Sequence, residues 1–270
     1  MIVLQKYLKQ SATYKLFVQF LVVFADFLET LGRISQLGFH TLKCILKGEI
    51  ELKELISQCD RFGVSSLPIT LSIVGMTSII VASQVANEMV KQGGGNFVGM
   101  LMTILIVREV GAIMSGFALT SMIGSSLASE IATMRVTEQV DAIEVLQVDP
   151  VRYLFVPRVL SGAIMMPFVV ILATTFGILA GGLISMMSAK DVTWLCYVTS
   201  VWQGLYIRDI NIMLFKAACF GGAISLISSS CGYDAKGGAK GVGIATTKAV
   251  VWSFVAIVII DCIFAVAFYF

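Results

Sequence analysis

Apolar stretches long enough to cross a bilayer recur five times between residue 64 and the end of the chain. They cover about residues 64–86, 97–127, 159–188, 210–231 and 249–270. A helix needs about 20 predominantly apolar residues to cross the hydrocarbon core of a membrane. The pattern therefore predicts an all-α integral membrane protein with about five transmembrane helices.

Residues 14–46 show a different pattern, in which apolar residues recur at helical spacing but charges interrupt the segment. Phe20, Phe24 and Leu31 belong to the apolar face, and Asp26 lies among them. Such an amphipathic helix prefers the membrane–water interface to the bilayer centre. A sixth span over residues 16–31 is the alternative, although it is short and contains two acidic residues. We therefore predict an interfacial helix region over residues 1–62 and a membrane domain over residues 63–270.

Composition supports the membrane assignment and excludes several function classes. Hydrophobic residues make up 57% of the chain and charged residues 13%, whereas soluble domains carry about 25% charged residues. The net charge is only +2 and no basic stripe is visible, which argues against nucleic-acid binding. The six cysteines include no C-x-x-C pair and His40 is the only histidine, so spacing along the chain predicts no metal site.

The distribution of lysine and arginine predicts the orientation. Eight of these residues precede residue 62, three lie in 128–158 and three in 232–248, against three in the intervening loops on the other side. Cytoplasmic loops carry the excess of positive charge, so the N-terminus is expected on the cytoplasmic side or its organellar equivalent. Residues 1–10 lack a cleavable signal pattern, so we expect the mature chain to start near Met1.

A polar stretch of about 30 residues follows the second apolar segment. Residues 127–146 can form a charged amphipathic helix, and Pro150 and Pro157 discourage helix beyond Val148. A short charged helix between two spans suits docking to a cytoplasmic partner. An ordinary solvated loop would explain the same pattern.

Four ionisable residues fall inside predicted spans: Arg108, Glu109, Lys216 and Asp261. A charge at the bilayer centre costs at least about 2.5–3.5 kcal/mol, so such residues normally face a partner, a cavity or a pathway. Adjacent helix residues point about 100° apart, so we predict two separate pairs, Glu109 with Lys216 and Arg108 with Asp261. These charges are either structural ion pairs between helices or part of a functional pathway through the membrane.

The first two spans also offer apolar side chains that are candidates for lining a groove beside these charges: Leu71, Val74, Ile79, Met100, Leu101 and Ile104. Apolar stripes in spans are more often packing surface.

Gly177 and Gly181 form a G-x-x-x-G pattern, which lets two membrane helices approach closely.

The polar stretch also carries a recognisable string, Glu130-Ile-Ala-Thr-Met-Arg-Val-Thr-Glu-Gln-Val-Asp-Ala. It resembles the signature of the MlaE/YrbE family, the permease subunits of ABC transporters that move phospholipids between membranes. Further similar segments are Arg108-Glu109-Val-Gly, Val148-Asp149-Pro150, Pro157-Arg158, Gly232-Tyr233-Asp234-Ala235 and Ala245-Thr246-Thr247-Lys248, and Asp261 matches an aspartate of the family's last helix. The resemblance covers roughly residues 60–270.

The resemblance implies a homodimeric membrane core that moves phospholipids or similar amphiphiles, with a coupling helix that docks into a cytoplasmic ABC ATPase subunit. The residues it assigns to that contact are Glu130, Arg135, Glu138, Gln139 and Asp141. An MCE-domain lipid-binding protein is expected on the far side, and a STAS-domain protein can accompany the ATPase. The expected location is the bacterial inner (cytoplasmic) membrane or the plastid inner envelope.

The chain contains no G-x-x-x-x-G-K-[ST] phosphate loop, because Lys240 is followed by glycine rather than Ser or Thr. We therefore predict that it is not an enzyme and carries no cofactor, with ATP and Mg²⁺ bound by the partner. One alternative is a secondary transporter driven by an ion gradient, with Glu109 and Asp261 as proton carriers, although no inverted repeat is visible. A membrane acyltransferase is another, but His40 has no Asp/Ser constellation around it.

Overall fold

The computed structural model describes residues 12–48, 51–188 and 192–269. Within these ranges every regular element is a helix and none is a strand, which confirms the predicted all-α membrane fold. Five helical stretches are long and apolar enough to cross a membrane. We call them the first to fifth spans: Leu52–Lys91, Gly95–Val136, Pro150–Ser188, Ile207–Tyr233 and Gly238–Tyr269.

The described residues form twelve α-helices. Some of them are parts of interrupted spans, and others lie before or between the spans. The helices are α1 (Ala12–Leu46), α2 (Leu52–Asp60), α3 (Leu67–Lys91), α4 (Val98–Leu105), α5 (Gly111–Leu119), α6 (Ser125–Val136), α7 (Gln139–Val145), α8 (Pro150–Leu154), α9 (Val156–Ser188), α10 (Trp194–Gly204), α11 (Ile207–Tyr233) and α12 (Gly238–Tyr269). Wider π-helical turns join α2 to α3, α4 to α5 and α5 to α6, at Arg61–Ser65, Ile106–Val110 and Thr120–Gly124. Arg108 and Glu109 therefore lie in a π turn of a continuous second span and do not break it.

The third span lies at the centre of the bundle. Helix α9 packs against α3 on one side and α11 on the other, and α11 also packs against α12 and α6. The main apolar core includes Leu119, Met166, Phe220 and Ile257, which come from four different spans. Helix α1 is not one of the five apolar spans and lies against α8, α9 and α11.

Glycines allow the spans to approach closely where the sequence pattern predicts contact. A Cβ on Gly177 would lie 2.5 Å from the Ser78 hydroxyl oxygen of the first span. At the crossing of α9 and α11, a Cβ on Gly162 would lie 2.6 Å from the backbone oxygen of Gly221. Since real Cβ atoms do not approach that closely, these helix crossings require glycine, which has no side chain.

The prediction of a single helix over residues 127–146 is wrong. Helix α6 ends at Val136 and α7 begins at Gln139, because Glu138 adopts a left-handed conformation with φ of 61°. L-residues rarely adopt that conformation, and it cannot continue a right-handed helix. The break turns α7 away from the axis of the second span.

The two prolines begin helices where we expected them to prevent helix. Pro150 occupies the first position of α8, and Pro157 is the second residue of α9. A helix does not need the N–H of its first residues, so proline fits the first turn without loss. Asp149 caps α8 by accepting a hydrogen bond from the Val151 backbone nitrogen, 2.9 Å from its Oδ1.

Two segments predicted as loops are helical instead. The tryptophan-bearing connection after the third span forms α10, and the glycine- and lysine-rich segment after Tyr233 supplies the first turns of α12 from Gly238 onward. Tyr197 of α10 is buried, which raises the pKa of its hydroxyl, and that hydroxyl donates to the Ile178 backbone oxygen at 2.9 Å. The apolar stretches therefore underestimate the lengths of the helices, because polar residues outside the hydrocarbon core add further helical turns.

Candidate coupling surface and intramembrane charge cluster

Glu130 joins three spans at one end of the bundle. Its Oε2 accepts from Arg61 Nη1 and its Oε1 from Arg158 Nη2, both at 2.6 Å. Arg158 is almost fully buried and also donates to the Leu154 backbone oxygen at 2.7 Å. A buried guanidinium needs a charged and hydrogen-bonded partner, so the half-buried Glu130 holds the first and third spans to the second through both of its carboxylate oxygens.

Helix α7 is fastened to the bundle by side chains on both of its ends. Arg135 donates to Asp141 across the break, and its guanidinium lies 5.3 Å from the ring centre of Tyr233. The Tyr233 hydroxyl donates to Glu144 Oε1 at 3.2 Å. These contacts place α7 against the end of the fourth span.

The outer side of α7 is exposed and combines charge with apolar side chains. Glu138 and Gln139 are exposed at its start, while Val145 and Leu146 at its end are 82% and 74% exposed. Exposed apolar residues rimmed by polar ones are typical of an interaction site. We call this set, with Asp141, the coupling surface: Glu138, Gln139, Asp141, Val145 and Leu146.

A second cluster lies inside the membrane around Lys216. The Lys216 side chain is fully buried, and its Nζ lies 3.2 Å from Glu109 Oε2, 2.7 Å from Asp261 Oδ1 and 2.5 Å from the Arg108 backbone oxygen. An ammonium group has three donors, and here each has an acceptor. The second, fourth and fifth spans therefore meet at one satisfied cation.

Arg108 points to the other side and has different partners. Its Nε lies 2.7 Å from Asp209 Oδ2, and its guanidinium lies 4.7 Å from the ring centre of Tyr269. The predicted pair of Glu109 with Lys216 is confirmed, but the predicted pair of Arg108 with Asp261 is wrong. Asp209 competes successfully because it belongs to the first turn of α11, which begins before the apolar stretch 210–231 that predicted the fourth span.

The six predicted groove residues lie on two helices, three on α3 and three on α4. Val74 is fully buried beside Gly177, and the other five are half-buried. An apolar cavity of about 390 Å³ lies elsewhere, between the third span, α10 and the fourth span, and none of the six lines it. Its walls include Val107, Thr174, Tyr197 and Met213.

Several residues of these sites escaped the sequence analysis. Arg61 contributed only to the positive-charge bias, Arg158 to that bias and to a family-like segment, and Asp209 lies just before the predicted fourth span, while no role was predicted for Val145 and Leu146. A signal existed for Asp209, since an intramembrane arginine requires a carboxylate and the loop before the fourth span offers one. No comparable signal existed for the two apolar residues, because their exposure depends on the break at Glu138.

The fold is that of a multi-pass helical membrane protein, and similarity to known proteins narrows that class to ABC transporter permeases. A family model described as Permease MlaE matches residues 55–267. The chain belongs to this MlaE permease family. Its charge cluster and coupling surface both lie within the matched residues.

Individual relatives agree with the family match. A probable ABC transporter permease protein of Rickettsia prowazekii is 36% identical over 233 residues, which cover 86% of this chain and 90% of the relative. A probable ABC transporter permease protein of Synechocystis is 36% identical over 215 residues, covering 80% and 81%. Protein TRIGALACTOSYLDIACYLGLYCEROL 1, chloroplastic, of Arabidopsis thaliana is 32% identical over 225 residues, covering 83% and 64%.

Proposed function

We propose that this permease moves phospholipids or similar amphiphiles between membranes as a homodimer, driven by ATP hydrolysis on a cytoplasmic ABC ATPase. The observation that carries the proposal is the coupling surface, in which Val145 and Leu146 are exposed on a helix anchored by Arg135 and Tyr233. An anchored helix with an exposed apolar end can transmit force from a partner that buries it. The membrane would be a bacterial inner membrane or a plastid inner envelope.

The route of coupling follows the second span. From Arg108 to Glu138 the chain is helical almost throughout, and about 30 residues of helix correspond to roughly 45 Å. ATP can shift the permease between conformations only if it favours one of them through the partner. We infer that movement of α7 tilts the second span and thereby alters the contacts around Lys216, while Glu130 transmits it to the first and third spans.

The substrate proposal rests on the mixture of apolar and polar surface at membrane depth. Arg108 and Glu109 remain 33% and 35% exposed although their partners are buried, so they can contact a lipid headgroup. The Arabidopsis relative is named after trigalactosyldiacylglycerol, which is a lipid. In this proposal a lipid-binding MCE-domain protein exchanges the substrate on the far side, and a STAS-domain protein can accompany the ATPase.

The docking contact can be tested by copurification of the permease with its ATPase. Glu138→Lys reverses an exposed charge, and Leu146→Asp places a charge at the apolar end of α7. We expect both variants to remain folded in detergent and to lose the ATPase. Glu88→Lys is the matched control, because Glu88 is an exposed acid near the end of the first span that lies away from α7. Equal recovery of the ATPase with Glu138→Lys, Leu146→Asp and Glu88→Lys would refute the docking proposal.

Reconstitution distinguishes ATP-driven transport from the ion-gradient alternative. Two carboxylates, Glu109 and Asp261, share the single cation Lys216, and a proton carrier could use such a group. Labelled phospholipid transfer would be measured in proteoliposomes with the partner ATPase, with ATP or with a proton gradient alone. We expect transfer only with hydrolysable ATP. Transfer driven by the proton gradient without ATP would support the secondary transporter instead.

A further inference from the structure

His40, Cys44 and Asp149 meet where α1 contacts the start of α8. One ligand atom from each, an imidazole nitrogen, the sulfur and a carboxylate oxygen, all lie within 4.8 Å of one another. His40 Nε2 is 3.1 Å from Asp149 Oδ2. His40 and Cys44 are four residues apart on α1, so they project from the same helical face.

These three groups are the ligand types that Zn²⁺ uses in proteins. Three protein ligands and a water complete a tetrahedral zinc site, with bonds of about 2.0–2.3 Å. Those bonds put neighbouring ligand atoms roughly 3.3–3.8 Å apart. The His40–Asp149 separation of 3.1 Å is already near that value, and the Cys44 sulfur lies within 4.8 Å of both groups.

The surroundings orient the carboxylate and leave the site accessible. Asp149 uses Oδ1 to cap α8 through the Val151 nitrogen, which turns Oδ2 toward His40. Hydrogen bonds of this kind fix ligating groups in metal sites. Cys44 is 5% exposed, whereas His40 and Asp149 are about half-exposed, so an ion and its water can enter from the solvent side.

We propose that His40, Cys44 and Asp149 bind a zinc ion that fastens α1 to the segment following α7. A sulfur ligand disfavours Mg²⁺ and Ca²⁺, which prefer oxygen, and a mixed nitrogen, sulfur and oxygen set suits zinc. Only three residues separate Asp149 from the end of α7. The bound ion therefore restrains the interfacial helix and the coupling surface relative to each other. This proposal does not depend on what the permease transports.

Cobalt binding to the purified full chain in detergent tests the site directly. Co²⁺ in a zinc site absorbs visible light and, with a thiolate ligand, gives a charge-transfer band in the near ultraviolet. We expect one Co²⁺ per chain with both features, and their loss on addition of Zn²⁺. Cys44→Ser should remove the charge-transfer band, whereas Cys59→Ser, at a half-buried cysteine of α2, should keep it. No thiolate band in the unaltered chain, or an unchanged band in Cys44→Ser, would overturn the proposal.

A second variant keeps the test valid if Cys44→Ser does not fold. Asp149→Asn retains an oxygen that can cap α8 but is a poor zinc ligand. Zn²⁺ raises the unfolding temperature of a protein that binds it only when folded. We expect Zn²⁺ to raise the Tm of the unaltered chain and to bind Asp149→Asn at least about tenfold more weakly. An equal zinc-induced rise in both proteins would rule out Asp149 as a ligand and with it the site.

Discussion

At the scale of single residues, Lys216 determines how the membrane charges are arranged. Its ammonium lies within 3.2 Å of Glu109 and 2.7 Å of Asp261, and all three groups belong to different spans. Removing one partner from a buried ionic group leaves an uncompensated charge, which costs far more than the pair contributes. The cluster therefore stabilises this arrangement of spans against others.

We expect Lys216→Met to lower the free energy of unfolding by about 3–5 kcal/mol, because it leaves two carboxylates without their cation. Denaturant unfolding in detergent would measure the change. Lys91→Met is the control, since Lys91 is exposed beside Glu88, and we expect a change within about 0.5 kcal/mol. Adding Glu109→Gln and Asp261→Asn to Lys216→Met should restore part of the loss. A Lys216→Met protein as stable as the original would contradict this account of the cluster.

At the scale of elements, α7 owes its shape to two left-handed residues. Glu138 precedes it, and Gln147 follows it with φ of 59°. At the end of α7, Gln147 N–H donates to Glu144 O at 2.9 Å and Val148 N–H to Ile143 O at 3.2 Å. This is the Schellman pattern of helix termination, in which glycine usually occupies the left-handed position.

Gln147→Gly should therefore stabilise the end of α7 by about 0.5–1 kcal/mol, because glycine adopts the left-handed conformation without steric cost. Hydrogen exchange of the α7 amides would measure this local effect, and we expect slower exchange. Ala142→Gly, at an exposed position inside the same helix, should lower local stability by about 1 kcal/mol and speed exchange. If both variants changed exchange in the same direction, the conformation inferred at residue 147 would be wrong.

At the scale of the whole molecule, five crossings place the two ends of the membrane domain on opposite sides. Cys59 of α2 lies near the start of the first span, and Cys196 of α10 lies between the third and fourth spans. The positive-charge bias assigns the first of these ends to the cytoplasm. Cys59 and Cys196 are therefore expected on opposite surfaces of the membrane.

Single-cysteine variants retaining Cys59 or Cys196 would test this orientation with a membrane-impermeant maleimide on spheroplasts. We expect Cys196 to react in intact spheroplasts and Cys59 to react only after lysis, because the reagent cannot cross the bilayer. A variant without cysteine provides the background. Labelling of Cys59 in intact spheroplasts would show the opposite topology. The coupling surface would then lie on the wrong side for a cytoplasmic ATPase.

The sequence by itself determined the helical membrane fold, the number of spans and the presence of intramembrane charges that need partners. These properties follow from hydropathy and charge, which act residue by residue, so the chain displays them without its partners in space. The Glu109–Lys216 pair was predictable because few groups inside the spans could neutralise each other.

Tertiary structure decided which groups meet. Asp209 replaces Asp261 as the partner of Arg108 because α11 begins earlier than its apolar stretch. His40 and Cys44 reach Asp149 only because α1 lies along α8. Side-chain contacts of this kind depend on helix packing between distant parts of the chain, and spacing along the sequence does not contain that information.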